Sequence, residues 1–239
     1  MTVLVGTCGW DYPHWSEVFY PADLPREERL SYASRRLGSL EIDSSFYGLP
    51  EADTLRRWRD ETPDGFVFAF KASRYITHMK KLSDAGDALR AMIDRARVLD
   101  EKLGPIVFQL PPHWKVNVER LEGFLDLLPD GLAFTFEFRD HSWFRREVYE
   151  ALRDHGAGFC IYDLAGERAP RERTSDLVYL RLHGPGDPYE GRYSRSALAG
   201  FAGAIHSWRR TGSDVCCYFD NDERGYAALN ACELRDMVT

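Results

Sequence analysis

The chain has 239 residues, enough for one complete domain and cramped for two. Hydrophobic residues make up 44% and charged residues 29%, a water-soluble globular profile, and no apolar run approaches the roughly 20 residues of a membrane span. A net charge of −7 disfavours nonspecific nucleic-acid binding unless the basic residues are concentrated in one place.

Short runs of β-branched and aromatic residues recur along the whole sequence. The first is Val3–Cys8, and the loop after it, GWDYPHWSEVFYP, is long and aromatic, with Trp10, Tyr12 and Trp15. Such a loop reads equally as a binding loop or as an aromatic plug over the domain. A second strand is predicted over Ser39–Ser45, followed by a helix at Ala52–Glu61 with Leu55 and Trp58 at helical spacing. The third strand, Phe66–Ala72, leads into a basic loop, SRYITHMKK, that contains His78. A helix at Asp84–Leu103 precedes the fourth strand, Pro105–Leu110, and a helix at Val118–Leu128 precedes the fifth, Ala133–Arg139. A further helix at Arg145–His155 leads to the sixth strand, Gly158–Asp163. The next interval, AGERAPRERT, has a proline and no apolar stripe, so a loop is expected in place of a helix. The seventh strand is Leu177–His183, with a helix at Arg195–Arg210. The eighth is Asp214–Asp220, with a helix at Tyr226–Met237.

Strands alternating with helices argue for a parallel sheet. Eight such units in a chain near the usual length of about 250 residues argue for one closed (β/α)₈ barrel over residues 1–239. The five cysteines are odd in number and form no CxxC pair, which fits reduced thiols in the cytosol. The N-terminus MTVLVGTCGW has no basic segment ahead of an apolar stretch, so no signal peptide is expected.

Strand parity locates a candidate site. Side chains alternate faces along a strand, and in a barrel one face points inside. Phe134, Phe136 and Phe138 oppose Thr135, Glu137 and Arg139. Val178, Leu180 and Leu182 oppose Tyr179, Arg181 and His183. The second, third and fourth strands repeat the pattern, with Glu41 and Asp43, Lys71, and Gln109 on the polar parity. The large apolar set must face the helices, so the polar set lines the interior. Its polarity rises toward the C-terminal strand ends, where barrel active sites lie. Pattern alone does not orient Asp163, Asp220 or Asn221. The competing reading is a closed ion network that only fills the barrel.

The segments GTCGWDYPHW, IDSSFYGLP, FKASRYITH, LGPIVFQLPP, FEFRDHSW, DLVYLRLHGP and YFDND occur in this order across almost the whole chain. In them the sequence resembles the YecE-like family of TIM-barrel proteins, a domain family with no established reaction. The resemblance implies a TIM-type barrel. It also implies that Asp43 and Asp220 stand where the family tends to have asparagine, adding negative charge at the mouth.

The inventory favours some chemistries over others. A multinuclear zinc centre needs converging histidines and carboxylates, yet no HxH or HExxH pair exists, so none is expected. No cofactor is called for, though one Mg²⁺ or Mn²⁺ on Asp43, Asp163 or Asp220 stays open. No GxSxG elbow marks a serine hydrolase. Cys8 reads as a packed strand cysteine sooner than a nucleophile. A glycosidase pair from Glu137 with Asp43 or Asp163 sits poorly beside so many cations.

A small anionic or phosphorylated ligand suits the mixture of Arg, Lys and His best. Glu137, His183 and Asp43 are the expected catalytic groups. Lys71, Gln109, Arg139, Arg181, Trp10, Tyr47, His78 and Asn221 are the expected binding groups. The alternative is a non-catalytic module that binds a phosphorylated or nucleic-acid ligand at the same mouth.

Overall fold

Parallel strands with short loops and intervening helices must cover both sheet faces, and closing the sheet on itself does so. The computed structural model describes residues 1–239. Its strands are β1 (Val3–Cys8), β2 (Ser39–Ile42), β3 (Val67–Lys71), β4 (Leu103–Gln109), β5 (Phe134–Glu137), β6 (Gly158–Leu164), β7 (Glu167–Arg168), β8 (Leu177–Leu182) and β9 (Asp214–Phe219). All but the two-residue β7 run parallel. The β1–β9 and β5–β6 pairings close the ring. The result is the eight-stranded TIM-type barrel that the alternation predicts.

The helices are α1 (Arg29–Ser34), α2 (Ala52–Glu61), α3 (Gly86–Ala96), α4 (Val118–Leu125), α5 (Arg146–Asp154), α6 (Arg195–Arg210) and α7 (Tyr226–Val238). The short α1 has no predicted counterpart. The helix expected over Asp84–Leu103 stops at Ala96, and 3₁₀ turns continue it to Lys102, with Asp100 at a positive φ of 53° breaking the regular path. No helix stands between β6 and β8. There the chain folds back as a hairpin in which Asp163 pairs with Arg168, in keeping with the loop expected at that point.

Two apolar layers follow from side-chain alternation. Cys8, Ala69, Val107, Cys160, Tyr179, Cys216 and Tyr218 form a separate buried cluster inside the barrel. The opposite parity, including Phe68, Phe70, Phe108, Phe134, Phe136 and Phe138, joins the helix faces in a cluster of 57 buried residues. Phe108 stacks on Phe136 with ring centres 5.1 Å apart, and Phe124 of α4 meets Phe108 edge-on at 5.2 Å. The phenylalanines therefore face the helices. Within the barrel, β1 and β2 approach so closely at Gly6 that a Cβ there would lie 1.8 Å from the Ser39 carbonyl oxygen. No helix is long and apolar enough to cross a membrane. All five cysteines are unpaired, four of them buried.

Candidate functional site at the barrel mouth

Polar side chains from the interior parity of β2, β3, β5, β8 and β9 converge above the small interior cluster. Arg181 is their hub and is fully buried. Its Nη1 donates to Glu137 Oε2 at 2.7 Å, and its Nη2 donates to Glu41 Oε1 at 2.7 Å. The same Nη2 lies 3.3 Å from Cys8 Sγ and 3.5 Å from a carboxylate oxygen of both Asp43 and Asp220. Glu41 also accepts from the Tyr179 hydroxyl at 2.6 Å. Glu137 accepts from Arg139 Nε through its other oxygen.

His183 links this layer to the next. Its Nδ1 lies 2.9 Å from Asp220 Oδ2, and its Nε2 lies 2.9 Å from Arg139 Nη2 and 3.3 Å from Glu137 Oε1. A guanidinium is only a donor, and it is the nearer partner of Nε2. That favours the tautomer in which Nδ1–H donates to Asp220 and Nε2 accepts from Arg139. Lys71 Nζ stands 3.0 Å from Asp43 Oδ1 and 4.8 Å over the Phe46 ring. The contact with Asp43 is an ion pair and falls outside hydrogen-bond geometry, so Asp43 Oδ1 is left with no hydrogen-bond partner.

Four carboxylates, Glu41, Asp43, Glu137 and Asp220, face three fixed cations, Lys71, Arg139 and Arg181. One acid is in excess, and Glu41 absorbs the imbalance. Burial pushes its carboxyl up to about 7, against the pull of Arg181. Burial acts on Glu137 in the same sense, but Arg139 and Arg181 outweigh it and hold that carboxyl well below the usual range. Asp43 is likewise held low, because Lys71 and Arg181 overcome its burial. Burial opposes the charge of Lys71, yet Asp43 leaves the ammonium pushed up to about 12. The Cys8 thiol is raised well above its ordinary value by burial, which suits a packed strand thiol better than a nucleophile.

The expected site residues separate into three depths. Glu137, Arg181 and His183 are sealed inside. Arg181 thus meets carboxylates of the chain itself, out of reach of a ligand in this conformation. Asp43, Lys71, Gln109 and Arg139 keep small exposed edges at the mouth. Tyr47, 77% exposed, and His78, packed edge-on against Phe46 at 5.0 Å, belong to the rim. Trp10 and Asn221 lie apart from this column. Trp10 packs against Trp58 and Phe68 outside the barrel. Asn221 is buried, donating to Gly191 O at 2.8 Å and to Asn230 Oδ1 at 3.1 Å. Asp163 has the helix-facing parity and accepts from Arg168 Nε at 2.8 Å, so it does not join the mouth.

Glu41 and Asp220 are members of the network that the expected site omits. Glu41 shows the right parity in the sequence, but it lies one step below the strand end, where only its buried partners reveal its role. Asp220 follows the end of β9, and its direction depends on Tyr218 and Cys216 pointing inward.

The loops at the mouth divide by charge. Those after β3, β4 and β5 (72–85, 110–117 and 138–145) hold six Lys and Arg against two Asp, with three histidines. Those after β8, β9, β1 and β2 (183–194, 220–225, 9–28 and 43–51) hold twelve acids against three basic residues. The strand order makes each set a continuous arc. An overall acidic chain therefore concentrates positive charge on one side of the opening.

Cys8, Asp43 and Asp220 offer three ligand atoms within 4.8 Å of one another. They do not suit a metal ion, because the Arg181 guanidinium already sits 3.3–3.5 Å from all three and supplies the countercharge.

The fold and its mouth define a TIM-type barrel with a charged C-terminal site. Residues 4–239 match the family model described as "Protein of unknown function DUF72", and the chain belongs to that family. It is 25% identical over 270 residues to UPF0759 protein YunF of Bacillus subtilis (strain 168), covering 99% of this chain and 94% of YunF. It is 26% identical over 155 residues to UPF0759 protein YecE of Escherichia coli (strain K12), covering 64% of this chain and 54% of YecE. A crystal structure of a DUF72 family protein from Thermotoga maritima MSB8 superposes with a TM-score of 0.90 at 27% identity, covering 100% of this chain and 99% of that one. D-psicose 3-epimerase with D-tagatose from Clostridium cellulolyticum H10 aligns at a TM-score of 0.58 and 13% identity, over 100% and 98% of the two chains, a likeness of fold alone.

Proposed function

We propose that the chain is an enzyme acting on a small anionic substrate, with phosphate as the anionic group, at the C-terminal mouth of the barrel. One observation carries this reading. Lys71 and Arg139 are the network cations that keep an exposed edge, and they stand at the ends of β3 and β5, two of the strands whose following loops form the basic arc. Arg139 is also the group that covers His183 Nε2. An anion that draws the Arg139 guanidinium toward itself uncovers that nitrogen. His183, oriented from behind by Asp220, then takes or gives a proton at the substrate. Glu137 holds Arg139 and Arg181 in place and becomes the second acid–base candidate once Arg139 moves. Asp43 positions Lys71.

The second reading is a non-catalytic module that holds a phosphorylated or nucleic-acid ligand at the same mouth. The complete burial of His183 and Glu137 favours it.

Thermal melts test the anion site. A phosphorylated ligand at 100 times its Kd protects by about 2.7 kcal/mol. For a chain of this size that raises Tm by about 5–10 °C. Wild type is expected to show such protection by inorganic phosphate or a sugar phosphate, and Arg139→Met and Lys71→Met to lose it. A wild-type protein that phosphate compounds leave unshifted would overturn the reading. Single-turnover assays on the protecting ligand then separate the two readings, since a binding module returns the ligand unchanged.

A further inference from the structure

A cavity of about 580 Å³ opens beside the mouth, between the loop after β1, the start of α1 and the face of α2. Its volume lies in the range of small-molecule pockets. Trp10 and Trp58 wall it, in edge-to-face contact with ring centres 4.9 Å apart. Tyr12 is pinned by donating its hydroxyl to the Cys8 carbonyl at 2.9 Å. That fold-back needs Gly9, which has φ of 75° and where a Cβ would lie 2.8 Å from the Tyr12 hydroxyl. Asp11 fixes the opposite wall, accepting from Arg26 at 2.7 Å and Arg29 at 3.0 Å. The one network residue that also lines the cavity is Asp43, whose side chain is 23% exposed and whose far side meets Lys71.

We propose that this cavity is a binding subsite for a neutral, hydroxyl-rich ring of the sugar type. The aromatic walls offer flat apolar faces to ring C–H groups, and carboxylates and guanidinium groups line the cavity beside them. Such a lining both accepts from and donates to hydroxyls. Arg26 and Arg57 oppose a cation, and Asp11, Glu27, Asp43 and Glu61 oppose an anion. A neutral polyol meets neither conflict. The proposal rests on the anion-site reading for the rest of the substrate. Asp43 and Lys71 join the two compartments, so a phosphorylated sugar spans them, with its ring in the cavity and its phosphate on Lys71 and Arg139.

The test uses the full chain and calorimetry or ligand-observed NMR. The probes are D-ribose and D-fructose with their 5- and 6-phosphates, respectively. Wild type is expected to bind at least one neutral sugar saturably. Trp58→Ala should weaken that binding at least tenfold. The exposed-face changes Glu61→Ala and Glu27→Ala, which do not threaten folding, should weaken it several-fold. Arg139→Met should leave neutral-sugar binding intact and remove only the gain from the phosphate. If no neutral sugar binds wild type, or if folded Trp58→Ala, Glu61→Ala and Glu27→Ala all bind as wild type does, the subsite is overturned. If the cavity variants lose binding while the phosphate adds nothing, the subsite stands and the anion-site reading falls.

Discussion

The same alternation of side chains delivers a sealed layer and an open one, a few ångströms apart along the barrel axis. In the sealed layer, Arg181 meets Glu41 and Glu137 at 2.7 Å each and sees no solvent. In the open layer, Lys71 and Arg139 hold one carboxylate each and keep an edge outside. Parity selects which residues enter the barrel, but depth decides their work. Charges that have lost their water are bound to the fold by the cost of separating them. Charges at the lip can exchange a protein partner for a ligand.

The largest effect expected from this contrast is on stability. Arg181→Met leaves Glu41 and Glu137 facing each other without their shared cation. Removing one partner of a buried pair costs about 3–5 kcal/mol. Urea melts at pH 8 should show a loss of that size. Because Glu41 can take a proton, the loss should shrink at pH 5. A loss below about 1 kcal/mol at both pH values would mean that Arg181 is no hub.

A smaller and more selective effect should follow from Glu41→Gln. In the fold the Glu41 carboxyl is pushed up to about 7 by burial, from an ordinary 4.5. Between those values the native state holds a proton that the unfolded chain has released. The native state binds more protons, so Glu41 makes stability fall as pH rises through that window, and its contribution levels off above it. Glutamine never ionises, so the variant should lose this downward slope. Asp43 and Glu137, both held low, act in the opposite sense. Their contribution is present above the ordinary carboxylate range and fades as pH falls toward their lowered values. Denaturation midpoints from about pH 2 to 8 check both signs, and an unchanged slope above pH 4.5 in Glu41→Gln would count against the excess-acid account.

Much of this was legible in the sequence, for a physical reason. In β3, β4, β5 and β8 aromatic or branched residues alternate with polar ones. Burying the wrong set would put Phe134, Phe136 and Phe138 into a barrel too narrow to hold them. That steric demand fixed the interior set, and the proline-bearing AGERAPRERT stretch likewise announced a missing helix. Depth was harder to read, because alternation has no memory of where a strand ends. Arg181 and Arg139 look equivalent in the sequence, yet one is wholly enclosed and the other reaches the lip. Trp10 belongs to an aromatic loop whose landing place is set by Trp58 and Phe68, far along the chain. Asn221 follows an inward-facing Asp220 and turns to a helix-side cluster with Asn230 and Gly191, which only the path after β9 determines.

The smallest expected effect concerns Tyr47, at the far edge of the open layer. Its ring is 77% exposed and touches Phe46 edge-on with centres 5.1 Å apart. Phe46 in turn carries Lys71 on its face. An exposed residue with one such contact contributes little to the fold, so Tyr47→Ala should change stability by no more than about 0.5 kcal/mol. Any consequence must then appear in binding. If a phosphorylated ligand extends across the lip, loss of the ring should weaken the affinity for that ligand, read from its protection, by about threefold to tenfold, in line with about 0.5–1.5 kcal/mol for an aromatic contact. Protection by inorganic phosphate, which is too small to reach Tyr47, should be unchanged. Equal losses for phosphate and for the larger ligand would place Tyr47 among the supports of Lys71. No loss for either would confine the open layer to Lys71, Arg139 and their immediate partners.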